Sequence, residues 1–180
     1  MSTQKTKHLS EKQNAAEPQD KRSRKIVVLA HCILNQNARV SGLARYPAII
    51  EEIVELLQKC NVGLLQMPCP ELVYAGARRP GKTRDEYDTP GYRRHCRRIA
   101  LTIVNQLEEL GKNEVRVLAV LGVKGSPSCD VGSSAAETGI LIGELHAELR
   151  RRGLKTSLHA VNPSSIAADV AWLRRRLTRA

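Results

Sequence analysis

The sequence predicts an α/β fold: a small three-layer domain built on a four-stranded, mainly parallel sheet of flavodoxin-like order. Two observations predict this class. Apolar runs of strand length recur along the chain, and stretches of about ten to twenty residues with helical apolar spacing separate them. Strands that alternate with such helices are joined by right-handed crossovers and lie parallel, and 2-1-3-4 is the simplest order of four strands.

Four segments carry the strand pattern. Residues 26–30 form a continuous apolar run, which is typical of a strand buried on both faces, and residues 115–123 carry the strongest strand signal in the chain. The other two segments are a second short strand and a more exposed fourth strand. The four predicted strands are residues 26–30, 62–65, 115–123 and 156–161.

Four further segments have the apolar spacing of amphipathic helices. In the first, apolar side chains recur at helical intervals with glutamates between them. The third opens with Ser134 and Glu137, whose spacing is that of a capping box at a helix start. The predicted helices are residues 47–60, 92–110, 134–152 and 164–177.

Length and composition indicate one domain with a polar extension. Residues 1–24 are polar and poor in apolar side chains, so we expect a disordered tail there and a single domain over residues 25–180. No apolar run is long enough to span a membrane, and the first 24 residues lack a signal-like stretch, so we expect a cytoplasmic protein. The net charge of +11 fits either an anionic partner or a well-solvated surface.

The five cysteines divide into two groups. An odd number in a reducing compartment argues against a disulfide framework. Cys60 and Cys96 lie on the apolar stripes of predicted helices, which is typical of small buried residues. Cys32, Cys69 and Cys129 instead follow the first three predicted strands. Because the carboxyl ends of parallel strands share one edge, we expect these three cysteines to converge there.

The surroundings of these cysteines favour a metal site over chance. Prolines on both sides of Cys69 restrict its backbone, and Cys129 ends a small polar turn ahead of a predicted helix, where backbone N–H groups stabilise a thiolate. Zinc sites usually take paired cysteines from short knuckles, and the chain has none. Iron–sulfur clusters accept cysteines from separate loops. His31 offers a fourth ligand, although a buried, hydrogen-bonded imidazole is the favoured interpretation.

Three segments resemble the signature segments of the 2-thiouracil desulfurase family, with greatest similarity to a branch of related desulfidases. They are residues 28–34 (VLAHCIL), Cys69-Pro70-Glu71 and Ser126-Pro127-Ser128-Cys129, and the resemblance covers roughly residues 25–134. It implies a compact α/β domain in which Cys32, Cys69 and Cys129 hold a [4Fe-4S] cluster with one iron open to substrate.

The resemblance also implies an activity and a catalytic pair. The activity is that of a desulfidase, which removes sulfur as sulfide from a thiolated small molecule with a thiouracil-like thiocarbonyl. Glu71 and Ser126 match the glutamate and serine that assist the attack of water. From the residues alone, Glu71 could instead pair with Arg78 or Arg79, and Ser126 could be a turn residue.

Part of the family pattern is absent. The family commonly has a second cysteine six residues after the first, followed by R-Y-D-G, where this chain has Ala38, Arg39, Val40, Ser41 and Gly42. The last cysteine is commonly followed by glycine, where this chain has Asp130. The cluster ligands are therefore retained, while the substrate pocket differs.

A second hypothesis is a metal-binding regulatory or nucleic-acid-binding module that uses the basic surface. Residues 78–98 contain eight Lys or Arg residues against three acids, which fits an anion clamp for a nucleotide phosphate or tRNA. Tyr87 and Tyr92 are the aromatic residues nearest to this charge, and they offer little base stacking. A solvated basic face is therefore the favoured interpretation of this stretch. The sequence does not indicate the oligomeric state.

Overall fold

The sheet has the predicted four strands and the predicted order. The computed structural model describes residues 20–178. Its strands are β1 (Lys25–Ala30), β2 (Gly63–Met67), β3 (Arg116–Val123) and β4 (Ser157–Val161). All neighbouring pairs are parallel, and the order is β2-β1-β3-β4. The α/β fold class is therefore confirmed, and the sheet is parallel throughout.

Seven α-helices and one 3-10 turn are found within residues 20–178, and the four long helices cover the sheet. Helices α2 and α7 pack against each other beside β2 and β3, while α5 packs on α6 and on β3. These pairs form the outer layers of a three-layer domain. The helices are α1 (His31–Leu34), the 3-10 turn (Gln36–Ala38), α2 (Glu51–Lys59), α3 (Pro70–Ala75), α4 (Arg84–Tyr87), α5 (Pro90–Gly111), α6 (Ile140–Arg151) and α7 (Ala167–Thr178).

The core is mainly aliphatic and centres on β1 and β3. Val27, Val28, Leu29 and Ala30 have no solvent exposure, as expected for a central strand covered on both faces. The stripes of the long helices close over the two faces of the sheet, and Tyr92 of α5 is the largest fully buried side chain. Within residues 20–178, no helix is both long and apolar enough to cross a bilayer.

Helix α2 begins four residues later than predicted. The Ile50 N–H donates to the Ile33 carbonyl at 2.9 Å, and the Gln36 N–H donates to the Ala48 carbonyl at 2.7 Å. These bonds hold the preceding segment against the chain that follows β1. The first helical residue is consequently Glu51, whose acidic side chain suits the positive end of the helix dipole.

The predicted capping box at Ser134 and Glu137 is wrong. The N–H groups of Glu137 and Thr138 donate to the Ser134 carbonyl, so this segment is a separate turn. The Glu137 carboxylate accepts from Ser133 instead of capping a helix. Helix α6 begins at Ile140, after Gly139.

Close packing explains why α6 starts where it does. A Cβ on Gly139 would overlap the Ser128 carbonyl carbon and lie 2.6 Å from the Cys129 nitrogen, so only glycine fits there. The Ile140 and Ile142 N–H groups donate to the carbonyls of Pro127 and Ser128, at 3.1 and 3.2 Å. The start of α6 thus anchors the loop that carries Cys129.

The predicted disordered tail lies largely outside the described residues. Residues 1–19 are not described, and neither are residues 179–180. Within the described part, Arg24 forms an ion pair with Glu114, and its carbonyl accepts the Arg116 N–H at 2.9 Å. These contacts join residue 24 to the start of β3.

Candidate active site

The three predicted ligand cysteines line one cavity at the carboxyl edge of the sheet. Cys32 lies in α1 directly after β1, Cys69 precedes α3 after β2, and Cys129 lies in the loop after β3. All three are free thiols, and their common cavity has a volume of about 80 Å³. Because β1 is flanked by β2 and β3, the three strand ends bring together cysteines that are far apart in sequence.

The cavity wall is part apolar and part charged. Val40 and Leu43 form an apolar side, while Glu71 and Ser126 lie among the polar lining residues. A wider groove of about 760 Å³ adjoins the cavity and shares residues 125–127 with it. The predicted catalytic residues are therefore placed in the same cavity as the cysteines.

Cys69 is held by its local fold. Its φ of −70° and ψ of 112° are extended, as expected for a residue before proline, and Pro70 opens α3. The Cys69 sulfur caps that helix by accepting the Leu72 N–H at 3.4 Å, and Arg79 Nη2 lies 3.9 Å from the same sulfur. Donors on two sides of the sulfur favour its thiolate form.

Burial instead disfavours the thiolate form of all three cysteines. It raises the pKa of Cys32 to about 11, raises that of Cys69, and raises that of Cys129 well above its ordinary value. The thiolate charges of Cys32 and Cys69 further raise the pKa of Cys129, which reflects how close the three groups lie. These shifts favour the neutral thiols, so a metal centre that binds to the three cysteines would displace their protons.

Glu71 is a buried carboxylate paired with a buried arginine. Its exposed fraction is 9 %, and Arg79 Nε lies 3.5 Å from its Oε2. Arg79 is itself 6 % exposed and donates to the carbonyls of Gly76 and Ala38, at 3.2 and 2.7 Å. Of the two arginines that the sequence left open as partners, the structure selects Arg79. Arg79 thus orients Glu71 and ties α3 to the segment after β1.

Ser126 shapes the loop that carries Cys129. Its hydroxyl oxygen accepts the N–H groups of Ser128 and Cys129, at 3.3 and 3.0 Å. Asp130 completes the turn by accepting the Gly125 N–H at 2.6 Å, which a glycine at position 130 could not do. The turn role of Ser126 is therefore observed, and its hydroxyl hydrogen is left to donate into the cavity.

A buried tyrosine supports the same loop, and the sequence interpretation missed it. Tyr92 Oη lies 2.6 Å from Ser128 Oγ, and both residues are fully buried. Burial raises the pKa of Tyr92 far above its ordinary range, so the phenol is neutral. The signal available in the sequence was a tyrosine in the first turn of a long amphipathic helix.

The loop also packs closely against β3 at Gly122. The Val123 N–H donates to the Cys129 carbonyl at 2.8 Å, and a Cβ on Gly122 would overlap that carbonyl oxygen. Glycine at position 122 therefore sets the distance between Cys129 and the sheet.

Substituting this glycine is expected to displace Cys129. Gly122→Ala forces the Cys129 carbonyl away from β3, so we expect a loss of at least about 1–3 kcal/mol in the free energy of unfolding. Denaturant unfolding measures the effect. Gly111→Ala is the matched control, because a Cβ at that position meets no atom within 4 Å. Equal stability of Gly122→Ala and the control would contradict the described packing.

His31 lines the cavity but does not have the environment that the sequence suggested. Its imidazole is part-buried, and burial lowers its pKa. Both ring nitrogens are buried without a hydrogen-bond partner among residues 20–178. The expectation of a hydrogen-bonded imidazole was therefore wrong.

Part of the basic stretch 78–98 is used within the fold. Arg84 donates to the Thr138 carbonyl at 2.9 Å and to Asp88 at 3.1 Å, and Arg93 pairs with Asp88. Tyr87 and Tyr92 are both buried, so neither offers a face for base stacking. Three of the eight basic residues, Arg79, Arg84 and Arg93, are thus used within the fold, whereas the other five are exposed.

The three cavity cysteines supply the type of donor that iron–sulfur clusters take. In the part of the chain that the structure describes, no three His, Cys, Asp or Glu side chains are grouped closely enough to hold one metal ion. A four-iron cluster is wider than an ion, so its cysteine ligands stand farther apart. Cys129 is buried and Cys32 and Cys69 are part-buried around one cavity, and thiolates are the ligands that such a cluster prefers.

Comparison with known proteins agrees with the resemblance seen in the sequence. The model of the family described as "Putative 2-thiouracil desulfurase" matches residues 24–139, which include all three cavity cysteines. A protein of Methanocaldococcus jannaschii, named "Uncharacterized protein MJ0003", is 38% identical over 130 residues, covering 72% of this chain and 81% of that protein. No solved structure matches the chain. The chain belongs to the 2-thiouracil desulfurase family.

Proposed function

We propose that this protein is an iron–sulfur-dependent desulfidase that hydrolyses a thiouracil-like thiocarbonyl and releases its sulfur as sulfide. The observation that carries the proposal is the convergence of Cys32, Cys69 and Cys129 on a cavity that also contains Glu71 and Ser126. Membership of a family named for thiouracil desulfurization supports the same activity. The three cysteines would hold a [4Fe-4S] cluster.

The overall reaction exchanges sulfur for oxygen at one carbon. One water adds its oxygen to the thiocarbonyl carbon, the carbon–sulfur bond breaks, and hydrogen sulfide leaves. When bound, the cluster supplies a soft iron with affinity for the soft sulfur of the substrate. The protein must then place a base beside the attacking water and hold the substrate in the cavity.

Glu71 is the residue best placed to accept the proton of water. It is buried, lies in the cavity, and is oriented by the ion pair of its Oε2 with Arg79. A positioned carboxylate acts as a general base when it reaches the water within hydrogen-bond distance. Because Arg79 is fixed by two backbone carbonyls, the carboxylate is held in place before substrate binds.

Ser126 is proposed to have two functions at once. Its oxygen accepts the two N–H groups that fix the Cys129 loop, and its hydrogen is available to the substrate or to water. The serine thereby links the position of a proposed ligand cysteine to the position of the substrate.

Ser126→Ala tests this double function. Loss of a neutral hydrogen-bond acceptor costs about 0.5–1.5 kcal/mol per bond, so we expect a lower free energy of unfolding and roughly tenfold slower sulfide release. Chemical unfolding and a sulfide assay measure the two effects. Ser165→Ala is the control, since Ser165 is exposed and lies outside the cavity and the adjoining groove. Unchanged stability and turnover would assign Ser126 neither function.

Product analysis tests the proposed function itself. Anaerobically purified, iron-loaded protein incubated with 2-thiouracil is expected to release sulfide and uracil in a one-to-one ratio. Protein stripped of iron is the control and is expected to release neither. Sulfide without uracil would indicate a different reaction, and iron-loaded protein without turnover would refute the proposed activity on this substrate.

A further inference from the structure

The cavity contains two arginines with opposite environments. Each nitrogen of the Arg79 guanidinium has an acceptor. The acceptors are Glu71, the carbonyls of Ala38 and Gly76, and the Cys69 sulfur. Arg39 also lines the cavity, yet its Nη1 is buried and has no hydrogen-bond partner among residues 20–178. Arg79 is therefore explained by the fold, whereas Arg39 is not.

An unpartnered guanidinium nitrogen is costly in a buried place. Arginine stays charged inside proteins, so the cost cannot be removed by losing a proton. A buried N–H without an acceptor loses its hydration and gains nothing in return. An acceptor that enters the cavity from outside would restore that hydrogen bond.

The protein backbone fixes the position of Arg39. Its own N–H donates to the Gln36 carbonyl at 3.1 Å, and the neighbouring Ala38 carbonyl is held by Arg79 at 2.7 Å. The Gln36 side chain, buried in turn, donates to the Cys32 carbonyl and accepts the Arg45 N–H at 3.1 Å. The segment that carries Arg39 is thus locked to the segment that carries a proposed ligand cysteine.

Two side-chain acceptors of the cavity, Glu71 Oε2 and the Ser126 oxygen, already have other donors. The Glu71 carboxylate faces Arg79, and the Ser126 oxygen accepts two backbone N–H groups. Arg39 lines the same cavity as Cys32, Cys69 and Cys129, which places its side chain at the proposed ligand set. The apolar side chains of Val40 and Leu43 line the same cavity, so a planar ring can pack against them.

We propose that Arg39 Nη1 is a substrate-binding group that donates to the exocyclic carbonyl oxygen of a thiouracil-like ring. The inference rests on the proposed function for the identity of the thiocarbonyl ligand. It specifies the substrate class further: cyclic thiones that carry an oxygen acceptor bind well, and thiones of the same size without one bind poorly.

Two probes that differ by one acceptor test this inference. Isothermal titration calorimetry under anaerobic conditions compares 2-thiouracil with pyrimidine-2-thione, which lacks the 4-carbonyl oxygen. A charged hydrogen bond is worth roughly 10- to 100-fold in affinity, and we expect the wild-type protein to prefer 2-thiouracil by that factor. Arg39→Met should lose the preference by weakening 2-thiouracil binding alone, and Arg39→Lys should restore part of it.

Arg45→Met is the matched control, because Arg45 is exposed in the same loop and, among the residues that the structure describes, its guanidinium reaches only the Gly42 carbonyl, at 3.5 Å. It is expected to keep the wild-type preference. The inference is overturned if Arg39→Met keeps the preference, if the wild-type protein binds both probes equally or neither, or if Arg39→Met loses its iron. Iron content and sulfide release report separately on the proposed function. A protein with an Arg39-dependent preference but no sulfide release would retain the inference and refute the function.

Discussion

Replacing Cys32, Cys69 or Cys129 singly by Ser is expected to remove most of the iron from anaerobically reconstituted protein and to abolish sulfide release. Each thiol follows a different strand and lines the same cavity, so each supplies one ligand of the proposed site. A serine hydroxyl is a hard, weakly acidic ligand that cannot replace a thiolate on iron. Iron content per chain and visible absorbance measure the loss.

The other two cysteines provide the controls. Cys96 is fully buried on α5 and Cys60 is part-buried at the end of α2, and neither lines the cavity. Cys60→Ser and Cys96→Ala are therefore expected to keep wild-type iron content, with Cys96→Ala losing some stability through its small cavity. Equal iron content in all five variants would contradict the ligand assignment.

Glu71→Gln is expected to separate cofactor retention from catalysis. Glutamine keeps the size of the side chain but cannot accept the proton of water. Loss of a positioned general base typically slows a reaction by about 10²- to 10⁴-fold. We therefore expect full iron content and retained binding of 2-thiouracil, together with a corresponding fall in sulfide release.

The ion pair between Glu71 and Arg79 affects how the Glu71→Gln result is interpreted. Removing the charge of Glu71 leaves a buried guanidinium without its carboxylate, so some loss of stability is expected as well. Turnover is therefore compared at a temperature where unfolding measurements show both proteins to be folded. Glu71→Gln with wild-type turnover would make Glu71 only the partner of Arg79, and a loss of iron would make it a support for Cys69.

The convergence of the cysteines was predictable from sequence because topology determines it. Parallel strands place their carboxyl ends at one edge, and the apolar runs identify the strands without knowledge of tertiary contacts. Cys32, Cys69 and Cys129 each follow such a run, so their common location depends on the strand order alone. That order is confirmed as β2-β1-β3-β4.

Other features of the site depend on packing, which sequence patterns do not encode. The spacing of Ser134 and Glu137 fits a capping box, yet the close contact of Gly139 with the Cys129 loop moves the start of α6. Likewise, nothing in the sequence distinguishes Arg78 from Arg79 as the partner of Glu71. The structure identifies Arg79 as the partner, because its side chain is buried and also donates to the Ala38 carbonyl.

The hydrogen-bond state of individual side chains was also beyond the sequence. A histidine after a buried strand is usually satisfied by a neighbouring group. The ring nitrogens of His31 and the Nη1 of Arg39 are instead buried without partners in the described part of the chain. Such groups are recognised only when the positions of all nearby acceptors are known, and both line the candidate site.

The central claim is that Cys32, Cys69 and Cys129 together hold a four-iron cluster. Anaerobic reconstitution followed by separate determination of iron and acid-labile sulfide tests it most directly. We expect about four irons and about four sulfides per chain, and loss of both when any one of these cysteines is replaced. A single zinc or iron per chain, or iron without labile sulfide, would contradict the claim.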